Sequence, residues 1–296
     1  MHIIEKTSGK KVYDISRIFT LMVCFVLSGQ VLMAQDTLSV EMERLPGTFR
    51  DISSLYITPV PHLFVVEQGR DRILRLNLDG QRLDSLGRTG SGNYQFDQPI
   101  DIDATNELKI FVSDYNNSRI QVFDRRFQYL STVRLPRLGN MRNYRPTVLT
   151  VNNLGELFFF DEENEYIYKF NFNGGFEQRF STRGDDQILN PSSMLALDDA
   201  IFIASPEQRV VHFMTVNGRY LGFIAGFENL SALAGWDTKV FIVDGNFISV
   251  YGLSARYYGS LELKNIPRVK SIAVHRDVII ATDGRHLYRG KRPSLR

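Results

Sequence analysis

Five carboxylates recur at equivalent places along this 296-residue chain. Glu67, Asp114, Asp161, Asp244 and Asp283 each close a short apolar run, and Ser205 takes the same place once. Carboxylates repeated in this way support two chemistries. They accept hydrogen bonds from backbone N–H groups in turns, or they converge as oxygen ligands for Ca²⁺. No denser acidic loop accompanies them, so the turn role is the expectation. Histidine offers less. His62, His212, His275 and His286 fall at different strand positions in different repeats, and a zinc site needs clustered ligands; no metal and no cofactor are expected. The glycines of Gly87, Gly90 and Gly92 could imitate a phosphate loop, but no Gly-Lys-Ser/Thr follows and no helix opens there. A flexible connecting loop is the expectation. No Ser, His and Asp set is singled out by spacing, although such triads assemble in space.

Arginine is the more informative residue. The segment from Arg134 to Arg145 holds four arginines with Tyr144 among them. A guanidinium presents a planar donor fork to carboxylate or phosphate, and a tyrosine ring offers a stacking surface. A plain solvated loop is the competing reading.

The elements that must position these residues are short strands. The runs ending at Glu67, Asp114, Asp161, Ser205, Asp244 and Asp283 are spaced by 47, 47, 44, 39 and 39 residues. Each is β-branched or aromatic, and a second strand such as Arg72 to Asn77 or Arg119 to Asp124 follows with period two. Asp79-Gly80, Asn173-Gly174 and Asn217-Gly218 then supply hairpin turns. An inner strand such as Ile100 to Asp103 or Val148 to Val151 precedes each run. Four strands per unit, in the order a, b, c, d, and six units at this period predict an all-β fold: a six-bladed β-propeller of four-stranded antiparallel blades. The sixth unit lacks its outer strand. Leu38 to Leu45 belongs to no complete unit, so an N-terminal strand is expected to complete the last blade and close the ring.

The N-terminus reads differently. Lys6, Lys10, Lys11 and Arg17 precede an apolar run from Ile18 to Leu27, then small and polar residues up to Asp36. This order resembles a secretory signal peptide over 1–34, and the run is shorter than the about 20 residues a bilayer span needs. An anchor extended through Val31, Leu32 and Met33 is the alternative, interrupted by Ser28, Gly29 and Gln30. Residues 35–296 form one domain. Cys24, the only cysteine, would leave with the signal, which removes disulfide and thiolate chemistry. Taking four basic and two acidic residues from 35 and 33 leaves 31 of each. A balanced chain argues against nucleic acid as partner.

The second unit carries a family resemblance. It runs from Gly87 through Phe96, Asp97, Gln98 and Pro99 into strand a, then to Asp114, and then Asn117, Ser118, Arg119 and Ile120 open strand c. A glycine-rich approach, Phe-x-x-Pro, a strand-b Asp and Asn-x-Arg-Ile resemble an NHL repeat. The match is good over 87–130, fair over 63–86 and weak from 144 onward. The resemblance implies a six-bladed propeller. It leaves function open, because such propellers act mostly as binding platforms and in a minority as lyases or lactonase-like hydrolases.

In a propeller the b–c and d–a loops share one face. Sorting the arginines this way gathers Arg70, Arg72, Arg88, Arg119, Arg137, Arg142, Arg145, Arg183, Arg209 and Arg285 there. The expected ligand-binding residues are Arg88, Arg137, Arg142, Tyr144, Arg145 and Arg183. The expected function is a non-enzymatic platform, monomeric within an envelope assembly, for a protein, peptide or glycan ligand with anionic character. Its expected location is periplasmic, outer-membrane associated or extracellular, with no integral span after cleavage. The alternative is a metal-dependent lyase or lactonase-like hydrolase centred in the channel.

Overall fold

The computed structural model describes residues 37–105, 108–135, 144–183 and 187–295. The expected signal segment lies outside them, as do Arg137 and Arg142. Two N-terminal strands, β1 (Thr37–Glu41) and β2 (Glu43–Arg44), precede six antiparallel units. The first contains β3 (Ile52–Ile57), β4 (Leu63–Glu67), β5 (Arg72–Leu76) and β6 (Arg82–Leu86). The second contains β7 (Pro99–Asp103), β8 (Ile110–Asp114), β9 (Arg119–Phe123) and β10 (Tyr129–Val133). The third contains β11 (Pro146–Val151), β12 (Leu157–Asp161), β13 (Tyr166–Phe170) and β14 (Phe176–Ser181). The fourth contains β15 (Ser193–Leu197), β16 (Ala200–Ser205), β17 (Val210–Thr215) and β18 (Tyr220–Ala225). The fifth contains β19 (Leu230–Trp236), β20 (Lys239–Asp244), β21 (Phe247–Gly252) and β22 (Tyr257–Lys264), and the last β23 (Ser271–His275), β24 (Val278–Thr282) and β25 (Leu287–Lys291).

Each first strand packs beside the first strand of the next unit, and β23 returns to β3. The ring therefore closes with six blades. Burial explains why. The second strands β4, β8 and β12 are buried at all five positions, because a middle strand is covered on both faces by neighbouring blades. Outer strands such as β14 and β18 alternate half-buried and exposed residues. The apolar side chains collect in six clusters, one at each seam between adjacent blades. Phe64, Phe96 and Phe123 meet between the first and second blades, for example, and Phe202, Val211 and Ile242 between the fourth and fifth.

The ring closes through the N-terminal segment, with a division of labour the sequence pattern does not show. Only β2 joins the last blade, pairing Glu43 with Arg289 and Arg44 with Tyr288. Strand β1 instead runs parallel to β22 as a fifth strand on the fifth blade, from Thr37 opposite Ser260 to Glu41 opposite Lys264. Val40 and Met42 are buried in the seam between these two blades, so the segment straddles it. A Cβ built on Gly290 would lie 2.7 Å from Val40 Cγ1 and also against Met42 Sδ. That glycine lets the segment lie flat on the last blade.

The hairpin turns carry the expected left-handed residues: Gly80, Gly174 and Gly218 all have φ of 82°. In the second blade the place belongs to Phe127, at φ 61°. The side chain of Phe127 is buried and meets Phe64 edge-on at 5.8 Å.

Candidate ligand-binding face

The repeated carboxylates are joints of the fold. Four of the five reach from the end of the second strand to the loop that enters the first strand of the same blade. Glu67 accepts the Arg50 N–H at 2.8 Å, Asp114 that of Asp97 at 2.8 Å and Asp161 that of Arg145 at 2.8 Å. Asp244 accepts the N–H groups of Glu228 and Asn229, at 3.0 and 2.5 Å. The fourth blade does the same work without charge. Ser205 Oγ donates to the Leu189 carbonyl at 2.5 Å, and Gln208 Oε1 accepts the Leu189 N–H at 3.0 Å. In the last blade Asp283 turns to its own loop, accepting from the Arg285 and His286 N–H groups and from Tyr288 Oη. Burial opposes its charge. The hydrogen bonds from His286, the backbone and Tyr288 nonetheless hold its carboxyl below the usual range.

Three arginines of the expected face are absorbed by these joints. Arg70 and Arg72 both pair with buried Glu67. Arg119 Nε donates to Asp114 Oδ2 at 2.7 Å, while its two terminal nitrogens reach the carbonyls of Ser91, Gly92 and Gln95 at 2.8 to 2.9 Å. The glycine-rich loop thus turns carbonyls, not N–H groups, toward a cation. That polarity is opposite to a phosphate cradle. Its glycines are needed for closeness: a Cβ on Gly87, at φ 111°, would lie 2.6 Å from the Phe96 ring and 2.7 Å from the Asp71 carbonyl.

The remaining candidates divide. Arg88 is exposed and makes no side-chain hydrogen bond or ion pair among the described residues, and the same holds for Arg209 and Arg285. Arg145 lies 5.2 Å from the Tyr115 ring centre and 4.0 Å from a Glu162 carboxylate oxygen. Arg183 pairs with Glu165. Arg145 and Arg183 therefore meet the same loop of the third blade, residues 162–165, while Arg88 stands one blade earlier. Tyr144 is partly buried. It donates from Oη to the Val133 carbonyl at 2.7 Å, and its ring packs 5.9 Å from that of Phe159. Burial pushes its hydroxyl well above the ordinary tyrosine range. Its hydroxyl and ring are thus engaged within the fold, and the aromatic beside Arg145 is Tyr115. Spacing alone could not point to Tyr115, Glu162 or Glu165, which belong to other loops.

The channel holds groups that the repeat conceals. Inner strands leave one edge unpaired, and here side chains of the preceding blade satisfy it. Asp101 Oδ2 and Asp103 Oδ2 accept the N–H groups of Leu149 and Val151, each at 2.9 Å. Thr150 Oγ1 accepts that of Ala196 at 2.8 Å, and Ser193 Oγ that of Leu233 at 3.1 Å. Ser54 donates to Asp101 at 2.6 Å. Burial raises both carboxyls against these hydrogen bonds, Asp103 to about 7. The signal available in the sequence was two carboxylates at alternate positions of one inner strand.

The histidines stay apart. His212 bonds Tyr220 and Gln208, His286 bonds Asp283, and the His275 ring lies tilted against Trp236 with ring centres 4.4 Å apart. Among the described residues no three His, Cys, Asp or Glu side chains form a metal-ligand set.

A closed ring of six four-stranded units with inner, buried middle and outer strands defines a six-bladed β-propeller. The NHL repeat family model matches residues 96–123, from the buried Phe96 to the end of β9. A comparison with curated proteins finds no match. Among solved structures the chain is similar to virginiamycin B lyase from Staphylococcus aureus, with 14% identity and a TM-score of 0.59 over 82% of this chain and 80% of that one. It is also similar to the RRP9 WD40 repeats, with 11% identity and a TM-score of 0.62 over 87% and 99%. A chain of a nidogen/laminin complex matches with 16% identity and a TM-score of 0.59 over 75% and 84%. At these identities the likeness concerns the fold.

Proposed function

We propose that the protein is an exported, non-enzymatic binding platform. Its ligand is a protein, peptide or glycan with anionic groups, held on the face of the b–c and d–a loops. The observation that carries this reading is the split among the arginines of that face. Arg70, Arg72 and Arg119 are consumed by buried carboxylates, whereas Arg88, Arg209 and Arg285 remain exposed and unengaged among the described residues. Arg145 and Arg183 pair only at the surface, where such pairs are weak and exchangeable. Likeness to a propeller from a nidogen/laminin complex is consistent with a protein partner. The basic and apolar order of residues 1–34 supports export.

The test is affinity capture from envelope extract with the propeller immobilised, alongside the R88A/R145A/R183A variant. A partner retained by the first and lost by the second supports the platform. Equal retention of every partner rejects the arginine face. N-terminal sequencing of the mature protein tests export, with a start near Gln35 expected.

One observation favours a second reading. Asp103, with its carboxyl raised to about 7 beside Asp101, has the affinity for protons of a general acid or base, and one similar structure is a lyase. Turnover of a lactone or of virginiamycin B by the wild type, abolished in D103N, would favour a channel enzyme.

A further inference from the structure

The opposite face, where the a–b and c–d loops emerge, holds a pocket of about 360 Å³ between the first and second blades. Its lining includes Phe64 and Ile110, both buried, and four basic side chains: His62, Arg75, Arg125 and Arg126. Of these four, only Arg75 has a carboxylate partner among the described residues. Arg75 Nη1 donates to the Arg125 carbonyl at 2.6 Å, and its Nη2 to Asp84 at 3.0 Å. Its Nε is buried with no hydrogen-bond partner. A donor cut off from both water and acceptor is costly and calls for an explanation. Arg125 and Arg126 are exposed, and their side chains make no hydrogen bond or ion pair among the described residues. The acidic neighbours are already engaged. Asp84 is held by Arg75, and Asp124 accepts the N–H groups of Arg126 and Gln128, each at 2.8 Å.

The turn that carries the two arginines is also set apart. Phe127 holds the left-handed place that glycine takes in the first, third and fourth blades. A bulky residue there strains the backbone, and such strain persists only where packing over-determines it. Phe127 packs on Phe64 and lies under the Arg75 guanidinium at 5.1 Å. This contact fixes Arg125 and Arg126 at the rim of the pocket.

We propose that this pocket is a second binding site, selective for a small monocarboxylate with an apolar body. The ring or chain of the ligand rests against Phe64 and Ile110. Its carboxylate takes the unengaged guanidinium groups of Arg125 and Arg126, with the Arg75 charge behind them. A guanidinium–carboxylate pair is charge-assisted and planar. The volume falls in the lower part of the roughly 300–1,000 Å³ range of small-molecule sites. The apolar wall disfavours a highly hydrated polyanion. The site shares no residue with the arginine face, so each stands or falls separately.

Calorimetric titration of the full chain with 4-phenylbenzoate tests the site, with neutral 4-phenylbenzamide as the isosteric control. The acid is expected to bind at least about tenfold more tightly than the amide, and R125A/R126A to remove that preference. R88A/R145A/R183A leaves the affinity unchanged. R125K/R126K keeps part of it, and both variants should retain the wild-type melting temperature because the altered side chains are exposed. No binding of 4-phenylbenzoate up to its solubility, equal binding of the amide, or full affinity in folded R125A/R126A overturns the proposal. A third ligand, N-acetylphenylalanine, stands in for a peptide C-terminus. Weaker binding than 4-phenylbenzoate supports a free acid, and tighter binding overturns that assignment.

Discussion

The second and fourth blades hold their entering loops by different chemistry at the same place. In the second, Asp114 is fully buried, accepts from the Asp97 N–H and from Asn117, and ties Arg119 to the carbonyls of the glycine-rich loop. In the fourth, Ser205 and Gln208 satisfy both the carbonyl and the N–H of Leu189 without a formal charge. The difference teaches that the propeller requires a group able to bond the entering loop, not a particular family signature. The signature marks the charged solution to that requirement. The same pair of blades differs at the hairpin, where Phe127 stands against Gly218.

This comparison breaks most sharply at Asp114. D114A removes the acceptor and leaves the Arg119 guanidinium, whose side chain is 15% exposed, without its counter-charge. A loss of about 3–5 kcal/mol is expected, read from urea denaturation. A loss under half of that would show that Arg119 is held mainly by the loop carbonyls.

A comparable change, this time in pH dependence, is expected at Asp103. Its carboxyl ordinarily titrates near 3.8 and is raised by burial to about 7. Between those values the unfolded chain releases the proton that the native state keeps. Stability from this group is therefore full below pH 3.8 and declines as pH rises toward 7. D103N should flatten that decline in thermal melts taken from pH 4 to 8, while Asp101, raised in the same direction, leaves a residue of it. An unchanged profile would exclude Asp103 as its source.

F127G makes the second hairpin resemble the fourth. Losing the buried ring costs about 3–5 kcal/mol, and relief of the left-handed conformation returns about 1–2 kcal/mol. Net destabilisation is expected in equilibrium unfolding; a gain in stability would show that strain outweighs packing there.

S205A/Q208A is the uncharged counterpart of D114A. It should cost less, about 1–3 kcal/mol in all, because Leu189 is only half-buried and water reaches part of the two freed backbone groups, with the midpoint of chemical denaturation as the measure. Equality with D114A would remove the distinction between the two joints. The smallest effect belongs to the arginine face: R88A, R145A and R183A each fall within about 0.5 kcal/mol of wild type in stability, since all three are solvent-facing.

The fold was largely legible because propeller blades repeat. Middle strands such as Leu63 to Glu67 are buried on both faces, so their apolar runs stand out at a regular period. The carboxylates closing those runs could be read as turn acceptors for the same reason. The site was less legible. Tyr144 and Arg145 are neighbours in sequence, yet one ring is seated against Phe159 and the other side chain lies over Tyr115 from the preceding blade. The pocket at Arg125 and Arg126 was not visible at all, because it joins the a–b loop of one blade to the c–d loop of the next.

The amino-acid sequence by itself determined six blades, a four-strand order in each, and the need for an N-terminal segment to close the ring. Those follow from periodic burial, which is a local property of each strand. Tertiary structure alone decided that β1 lies on the fifth blade while β2 completes the sixth. It also decided which arginines the buried carboxylates neutralise and which stay available. Such partnerships depend on side chains brought together across blades, and their energies depend on how far water is excluded at each meeting point.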